Sequence, residues 1–327
     1  MRAETRPDFF FIWSGDRFSL LFRIAVSLVS CHHPDARVVV YVVGPSPTSV
    51  HFQALLEDGT AEVVALDPAE VLGRLPLALS GAADVYSRLP RASHAARSNI
   101  LRYALLHDHG GVYLDTDVLT VARFPDLDGV DAAIGLETVW SGDRRRVSGD
   151  RTVWMSPTTC AWALAYSAVR CDSLLASGRL GVSGRIDRFG HAWTELQANN
   201  AVLASSPRSQ FIAEVLAGIG EVDSAIRYST GPTLIHDVLS GTSANVRVFG
   251  PDVFYSIPPG QSFRLFEDVT FRLPDSAVAV HVAASNHETR VARMSATDPC
   301  ARPGTVIHGL MDADAGMQQG KGRVTAG

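Results

Sequence analysis

The stretch from Arg97 to Thr120, RSNILRYALLHDHGGVYLDTDVLT, most constrains what this chain can become. From Ala92 to His109 the spacing predicts a helix. Ile100, Tyr103, Ala104 and His107 fall on one side, while Leu101, Leu105 and Asp108 continue round it. Asn99 and Arg102 are three apart and so are neighbours on one face. Gly110-Gly111 ends the helix, because glycine accepts the left-handed conformation that a helix C-terminus often needs. Val112-Tyr113-Leu114 reads as a short buried strand that stops at Asp115-Thr116-Asp117. Two carboxylates therefore reach the C-terminal edge of a sheet, where open α/β folds collect ligands. One residue apart, they suit magnesium or manganese, which take one or two protein carboxylates and leave other positions to water and phosphate. A bare Asp-x-Asp, taken alone, reads more readily as a solvated turn.

The chain around this stretch supplies the rest of a sheet. Phe9 to Trp13 is a buried strand, followed by a helix from about Phe18 to Cys31 with Leu21, Ile24, Ala25 and Leu28 inward. Val38 to Val43 and Ala61 to Leu66 are two more strands, and this β-α-β-α-β opening predicts a largely parallel sheet with helices on both faces. The turn at Gly44 lacks G-x-G-x-x-G, which argues against a nicotinamide-type nucleotide site. Beyond the two aspartates, Val118 to Val121 and Asp131 to Leu136 read as strands, and Pro157 to Leu175 as a helix. Its stripe Trp162, Ala165, Tyr166 and Val169 reads as core. Arg144-Arg145-Arg146 reads as solvated surface, and Ser177 to Gly190, with its four glycines, as a mobile loop. Glu195 to Val202 leads into an expected helix capped by Asn199 or Asn200. Late strands are expected at Val246–Phe249, Val253–Ile257 and Ala277–Val282, with a helix after Thr230-Gly231-Pro232.

With 327 residues, of which 46% are hydrophobic, the chain can hold one α/β domain with an inserted helical part. The boundaries read as a single domain over 1–297, a mostly helical insertion on the acceptor side at about 141–230, and a disordered tail over 298–327, poor in large apolar groups. A formal charge of −5 gives no reason to expect nucleic acid or an anionic membrane as partner. No apolar run reaches the ~18 residues of a spanning helix, and no signal-peptide pattern is present. Cys31, Cys160, Cys171 and Cys300 form no C-x-x-C pair and read as reduced thiols of a cytoplasmic protein.

The combination of polar-x-x-Arg-Tyr on a helix, Gly-Gly, a short apolar strand and Asp-x-Asp is far more specific than its parts. Over about Ser98 to Val118 it resembles the sugar-nucleotide-binding region of family 32 glycosyltransferases, among them the capsular-polysaccharide-type enzymes, and of their relatives the large clostridial glucosylating toxins. The resemblance implies a GT-A-type fold with a mainly parallel central sheet. It also implies hexose transfer from a UDP- or GDP-sugar to an acceptor hydroxyl of a glycan, lipid-linked carrier or small metabolite, with retention at the anomeric carbon. Asp115 and Asp117 would hold manganese or magnesium, joined by His281, because His281-x-x-x-Ser285 resembles the family's C-terminal His-x-x-x-Ser-Trp; Asn286 stands where the tryptophan is expected. Trp13, Ser98, Asn99, Arg102, Gly111, Asp115 and Ser285 would contact the donor, and Arg102 and Asn200 would join the two aspartates in catalysis. Asn99 departs from the family's usual aspartate. Two other readings follow from YLDTDVLT: a haloacid-dehalogenase-like phosphatase using Asp115 and Asp117, and a non-catalytic sugar-nucleotide or glycan-binding module.

Overall fold

The computed structural model describes residues 8–142, 152–153, 156–187, 193–221 and 229–324, with side chains up to residue 316. Its centre is a seven-stranded sheet. The strands are β1 (Phe9–Ser14), β2 (Val38–Val43), β3 (Glu62–Leu66), β4 (Gly111–Leu114), β6 (Ala132–Trp140), β7 (Thr194–Ser205) and β8 (Val246–Phe249), in the order β3-β2-β1-β4-β7-β6-β8. Neighbours are parallel except on the two sides of β7, so β7 alone runs against the other six. Two further strands, β5 (Val118–Thr120) and β9 (Ala279–His281), make a separate antiparallel pair.

The first strands form for the reason their composition implies. Phe9, Phe10, Phe11 and Ile12 are all buried, and a strand covered on both faces reads as a continuous apolar run. Phe10 and Ile12 pack with helix α5 (His94–His109), while Phe9 and Phe11 pack with helix α1 (Leu20–His32) and helix α2 (Val50–Asp58) residues such as Val26 and Phe52. The mainly parallel, helix-flanked sheet expected of a GT-A-type domain is therefore present.

Four expectations need correction. Residues 195–202 belong to no helix: they lie in β7, whose run Ala198 to Ala204 is buried at the middle of the sheet. The insertion between β6 and β7 is thus shorter than 141–230. It contains the helices Pro157–Ala176 and Val182–Asp187, the second of which replaces part of the expected loop. The Arg144-Arg145-Arg146 run lies outside the described residues. Val253 to Ile257 is not a strand, because Pro251 starts a one-turn helix, Pro251–Phe254. The tail is not disordered over its whole length: Val306–Val324 is a helix that buries Ile307 and Met311 against α1 residues.

Candidate active site

Helix α5 and strand β4 deliver the first group of residues. Gly110 ends α5 with φ of 72°, and a Cβ there would meet the Ser205 carbonyl at 2.7 Å, so only glycine lets the chain turn this close to β7. Five residues later Asp115 leaves β4, and its N–H donates to the Ala201 carbonyl at 2.8 Å. Arg102, 4% exposed, points from α5 to the same place. Its Nη2 lies 3.0 Å from Asp115 Oδ1, its Nη1 donates to the Asn200 carbonyl at 2.5 Å, and its guanidinium lies 4.3 Å over the Tyr113 ring. The Tyr113 hydroxyl donates to the same carboxylate.

The pair β5–β9 brings the second group. Its register sets Val118 opposite His281, which places the imidazole Nε2 3.5 Å from Asp117 Oδ1. Ala283 then takes a left-handed conformation, φ 53°, uncommon for a residue with a side chain. That turn aims the Ala284 N–H at Asp117 Oδ2, 2.7 Å away. Asp115, Asp117 and His281 each offer a ligand atom within 4.8 Å of the others. Burial pushes the Asp115 carboxyl above its usual value; Arg102 pulls against this and Asp117 adds to it. Burial also acts upward on Asp117, but the His281 imidazole and the Ala284 amide outweigh it and leave the carboxyl below its usual value. Burial disfavours the charged His281 ring, yet Asp117 more than compensates and raises it to about 9. Two carboxylates and an imidazole crowded at one point are a donor set that a divalent cation fits.

The third group is an amide cluster. Asn200 Nδ2 donates to Asn99 Oδ1 at 3.0 Å and to the Tyr103 hydroxyl at 2.8 Å, which uses both N–H groups of that amide. Asn99 Nδ2 reaches Thr230 Oγ1 at 3.4 Å, and Gly231 leaves room for it, since a Cβ there would come within 2.9 Å of that nitrogen. A register shift between Ile134 and Gly135 takes Asn200 to Val202 out of pairing with β6, and this bulge frees the Asn200 carbonyl for Arg102.

All three groups open on one cavity of about 1120 Å³, whose wall includes Asn99, Arg102, Asp115, Asp117, Asn200, His281 and Ser285. Three expected donor contacts are not on that wall. Trp13 bends its indole N–H onto the Gly15 carbonyl at 2.7 Å and packs against Phe18 and Phe22. Ser98 turns to Tyr113. Gly111 begins β4, so it sits at the end of the strand away from Asp115. Conversely Trp162, Ala165, Tyr166 and Val169, read as core, share the helical stripe expected but line the cavity. The Ala284 amide, a backbone group, carried no signal in the sequence.

Residues 28–134, which include β2, β3, α5, β4 and the carboxylate pair, match the family model described as "Glycosyltransferase sugar-binding region containing DXD motif". The match stops before β7 and before His281. Comparison with curated proteins gives no significant match. Among solved structures, the chain is similar to PaToxG glycosyltransferase, with 15% identity over 72% of this chain and 68% of that one and a TM-score of 0.42. It is also similar to the UDP-bound glycosyltransferase domain of the YGT toxin, with 11% identity over 74% of this chain and 79% of that one and a TM-score of 0.39. For the galactosyltransferase LgtC in complex with donor and acceptor sugar analogues, identity is 14% over 84% of this chain and 86% of that one, with a TM-score of 0.34.

Proposed function

We propose that this protein is a metal-dependent glycosyltransferase that moves a hexose from a nucleoside diphosphate sugar, UDP- or GDP-linked, to an acceptor hydroxyl. The observation that carries this reading is the meeting of Asp115, Asp117 and His281 in one large cavity, at the end of the strand that holds the DXD motif. Asp117 and His281 would hold manganese or magnesium directly, and Asp115 would add a ligand or take the ribose hydroxyls. Bound there, the cation supplies Lewis-acid stabilisation of the negative charge that gathers on the departing diphosphate. Arg102 is a positioning residue in this scheme: clamped between Asp115 and the Asn200 carbonyl, it fixes the carboxylate against the sheet. Asn200 has given both amide N–H groups to Asn99 and Tyr103, so it meets the sugar through its oxygen, as an acceptor for a hydroxyl. Asn99, in place of the family's aspartate, keeps a donor as well as an acceptor at that spot, which bears on donor choice. Retention at the anomeric carbon follows from the family resemblance. A reducing, cytoplasmic setting accords with four scattered cysteines that form no C-x-x-C pair.

A nucleotide-release assay with a panel of sugar nucleotides tests the reading. Release should require manganese or magnesium and should single out one donor. Full activity in excess EDTA, or hydrolysis of phosphomonoesters in place of sugar nucleotides, overturns it.

A further inference from the structure

The Pro157–Ala176 helix turns Trp162, Tyr166 and Val169 toward the cavity and the core, and its opposite side faces solvent. That outer side carries no charge. The helix has two charged residues: Asp172 is buried, and Arg170 turns to Glu267, 3.2 Å away, and to the Phe263 ring. Cys160, Leu164, Ser167, Cys171 and Leu174 are all exposed and follow one another at steps of four, three, four and three. Those steps are the spacing of a coiled-coil seam, in which apolar residues recur every 3.5 positions. Ala163, Ala168 and Leu175 flank the seam and are exposed too. Leu164 is 72% exposed and Leu175 87%. A solitary exposed leucine is ordinary. An uncharged seam along a whole helix is not.

The order of residues along the seam says what fits it. Reversed about a point between Ala165 and Tyr166, Cys160 falls on Cys171, Leu164 on Ser167, Ala163 on Ala168 and Pro157 on Leu174. Two copies of the helix related by a two-fold axis at that point run antiparallel and meet in this register, because in an isologous contact residue i meets j and j meets i. Each leucine then packs on a smaller neighbour, Leu164 on Ser167 and Leu174 on the Pro157 ring, as interdigitating layers require. The Ser167 hydroxyl already donates to the Ala163 carbonyl of its own helix at 2.8 Å, so it brings no unmet donor to the seam. Ala163 and Ala168 let the two backbones approach closely. A parallel pair would instead stack leucine on leucine and serine on serine. A lipid surface favours bulky apolar side chains, whereas five of the eight outward positions are Cys, Ala or Ser. The helix is about 30 Å long and 10 Å wide, so the contact is small and suits a reversible dimer.

We propose that this face is where two copies of the chain associate, antiparallel about a two-fold axis, with Cys160 of each copy facing Cys171 of the other. The inference goes beyond the transferase reading and does not depend on it. Trp162 and Tyr166 stand on the inner side of the same helix, so the contact braces one wall of the cavity from outside.

Within one copy Cys160 and Cys171 lie about 16 Å apart along the helix, well beyond the ~7 Å Cα separation that a disulfide spans. Only two copies can join them. The test uses the full chain with Cys31→Ser and Cys300→Ser, oxidised with diamide, which takes two electrons and two protons from each pair of thiols. In that background Cys160→Ser alone and Cys171→Ser alone should remain monomers on non-reducing gels, and a mixture of the two should give a cross-linked dimer. Sedimentation velocity of the reduced wild type should show a monomer–dimer equilibrium with Kd on the order of 10 µM. Leu164→Glu should weaken it at least about tenfold, the effect of leaving a charge in an apolar contact. Ser167→Glu repeats the test if Leu164→Glu does not fold by circular dichroism. A wild type that stays monomeric well above that concentration, or a dimer unchanged by the folded glutamate variants, overturns the contact. Cross-linking by either single-cysteine variant alone overturns the antiparallel register. Co-flotation of monomeric chain with vesicles of phosphatidylcholine and phosphatidylglycerol gives the face to a lipid surface and overturns the dimer.

Discussion

Asp117 sits between two influences of opposite sign, burial and the His281 imidazole, and the histidine prevails. In the metal-free protein the two therefore form an ion pair near neutral pH. Asp117→Ala removes the ligand and the partner together, and should lower metal-dependent donor hydrolysis by about two orders of magnitude, the scale of one electrostatic stabiliser. The histidine makes a sharper prediction. Its folded pKa, about 9, lies above the usual 6.5 of a histidine, so its contribution to stability is complete below 6.5 and is lost as pH rises through about 9. The metal-free melting temperature should fall over that interval. A metal ligand must be unprotonated, so metal binding at pH 7 should release close to one proton, and affinity should rise up to tenfold per pH unit until about 9. Calorimetry in buffers of different ionisation enthalpy reads the proton directly. Identical proton release by His281→Asn would show that another group titrates and that the histidine is not a ligand.

At the scale of elements, two junctions place the chemistry: the α5–β4 turn and the short β5–β9 ladder. Gly110→Ala should cost about 1–3 kcal/mol, the range for overpacking, because both the positive φ and the Ser205 carbonyl oppose a side chain. Urea unfolding measures it, and an unchanged midpoint would mean the turn relaxes without disturbing β4. This turn was legible from Gly-Gly alone, as were the Asn99–Arg102 face and the strand-end carboxylates, since each depends on local spacing. His281 was legible only through its His-x-x-x-Ser spacing. Strand β7 was not, because Glu, Leu, Gln and Ala favour helices and its polar residues suggest caps. In place, Gln197, Asn199 and Asn200 are buried polar groups that serve the cavity while Ala198, Ala201 and Val202 fill the sheet, so tertiary context overrides propensity. The Trp162–Tyr166 stripe shows a second limit. Periodicity placed the residues on one face and could not tell a core from a cavity wall.

Across the whole molecule, the metal-ligand end depends on the chain's last helix. Ile307 is fully buried and Met311 nearly so, and both join the apolar cluster that holds Leu21, Ile24 and Leu28 of α1 together with Val280 and Val282. Those two valines flank His281. Arg23 of α1 adds an ion pair to Asp314 at 3.3 Å, both side chains being largely buried. The stretch read as a tail was masked by its many small and polar residues, although Ile307 and Met311, with Val306 and Leu310 beside them, anchor its first turns. Ile307→Ala should destabilise the protein by about 2–5 kcal/mol, the range for deleting a fully buried large aliphatic side chain. The loss should reach the site as well: a loosened β9 lets His281 drift from Asp117, so manganese affinity should fall several-fold in protein that is still folded at 25 °C. Denaturant unfolding and metal titration of the same variant separate the two effects. Lower stability with unaltered metal affinity would mean the helix supports the fold without setting the ligand geometry, and no change in either would show that it does not pack on α1 in solution.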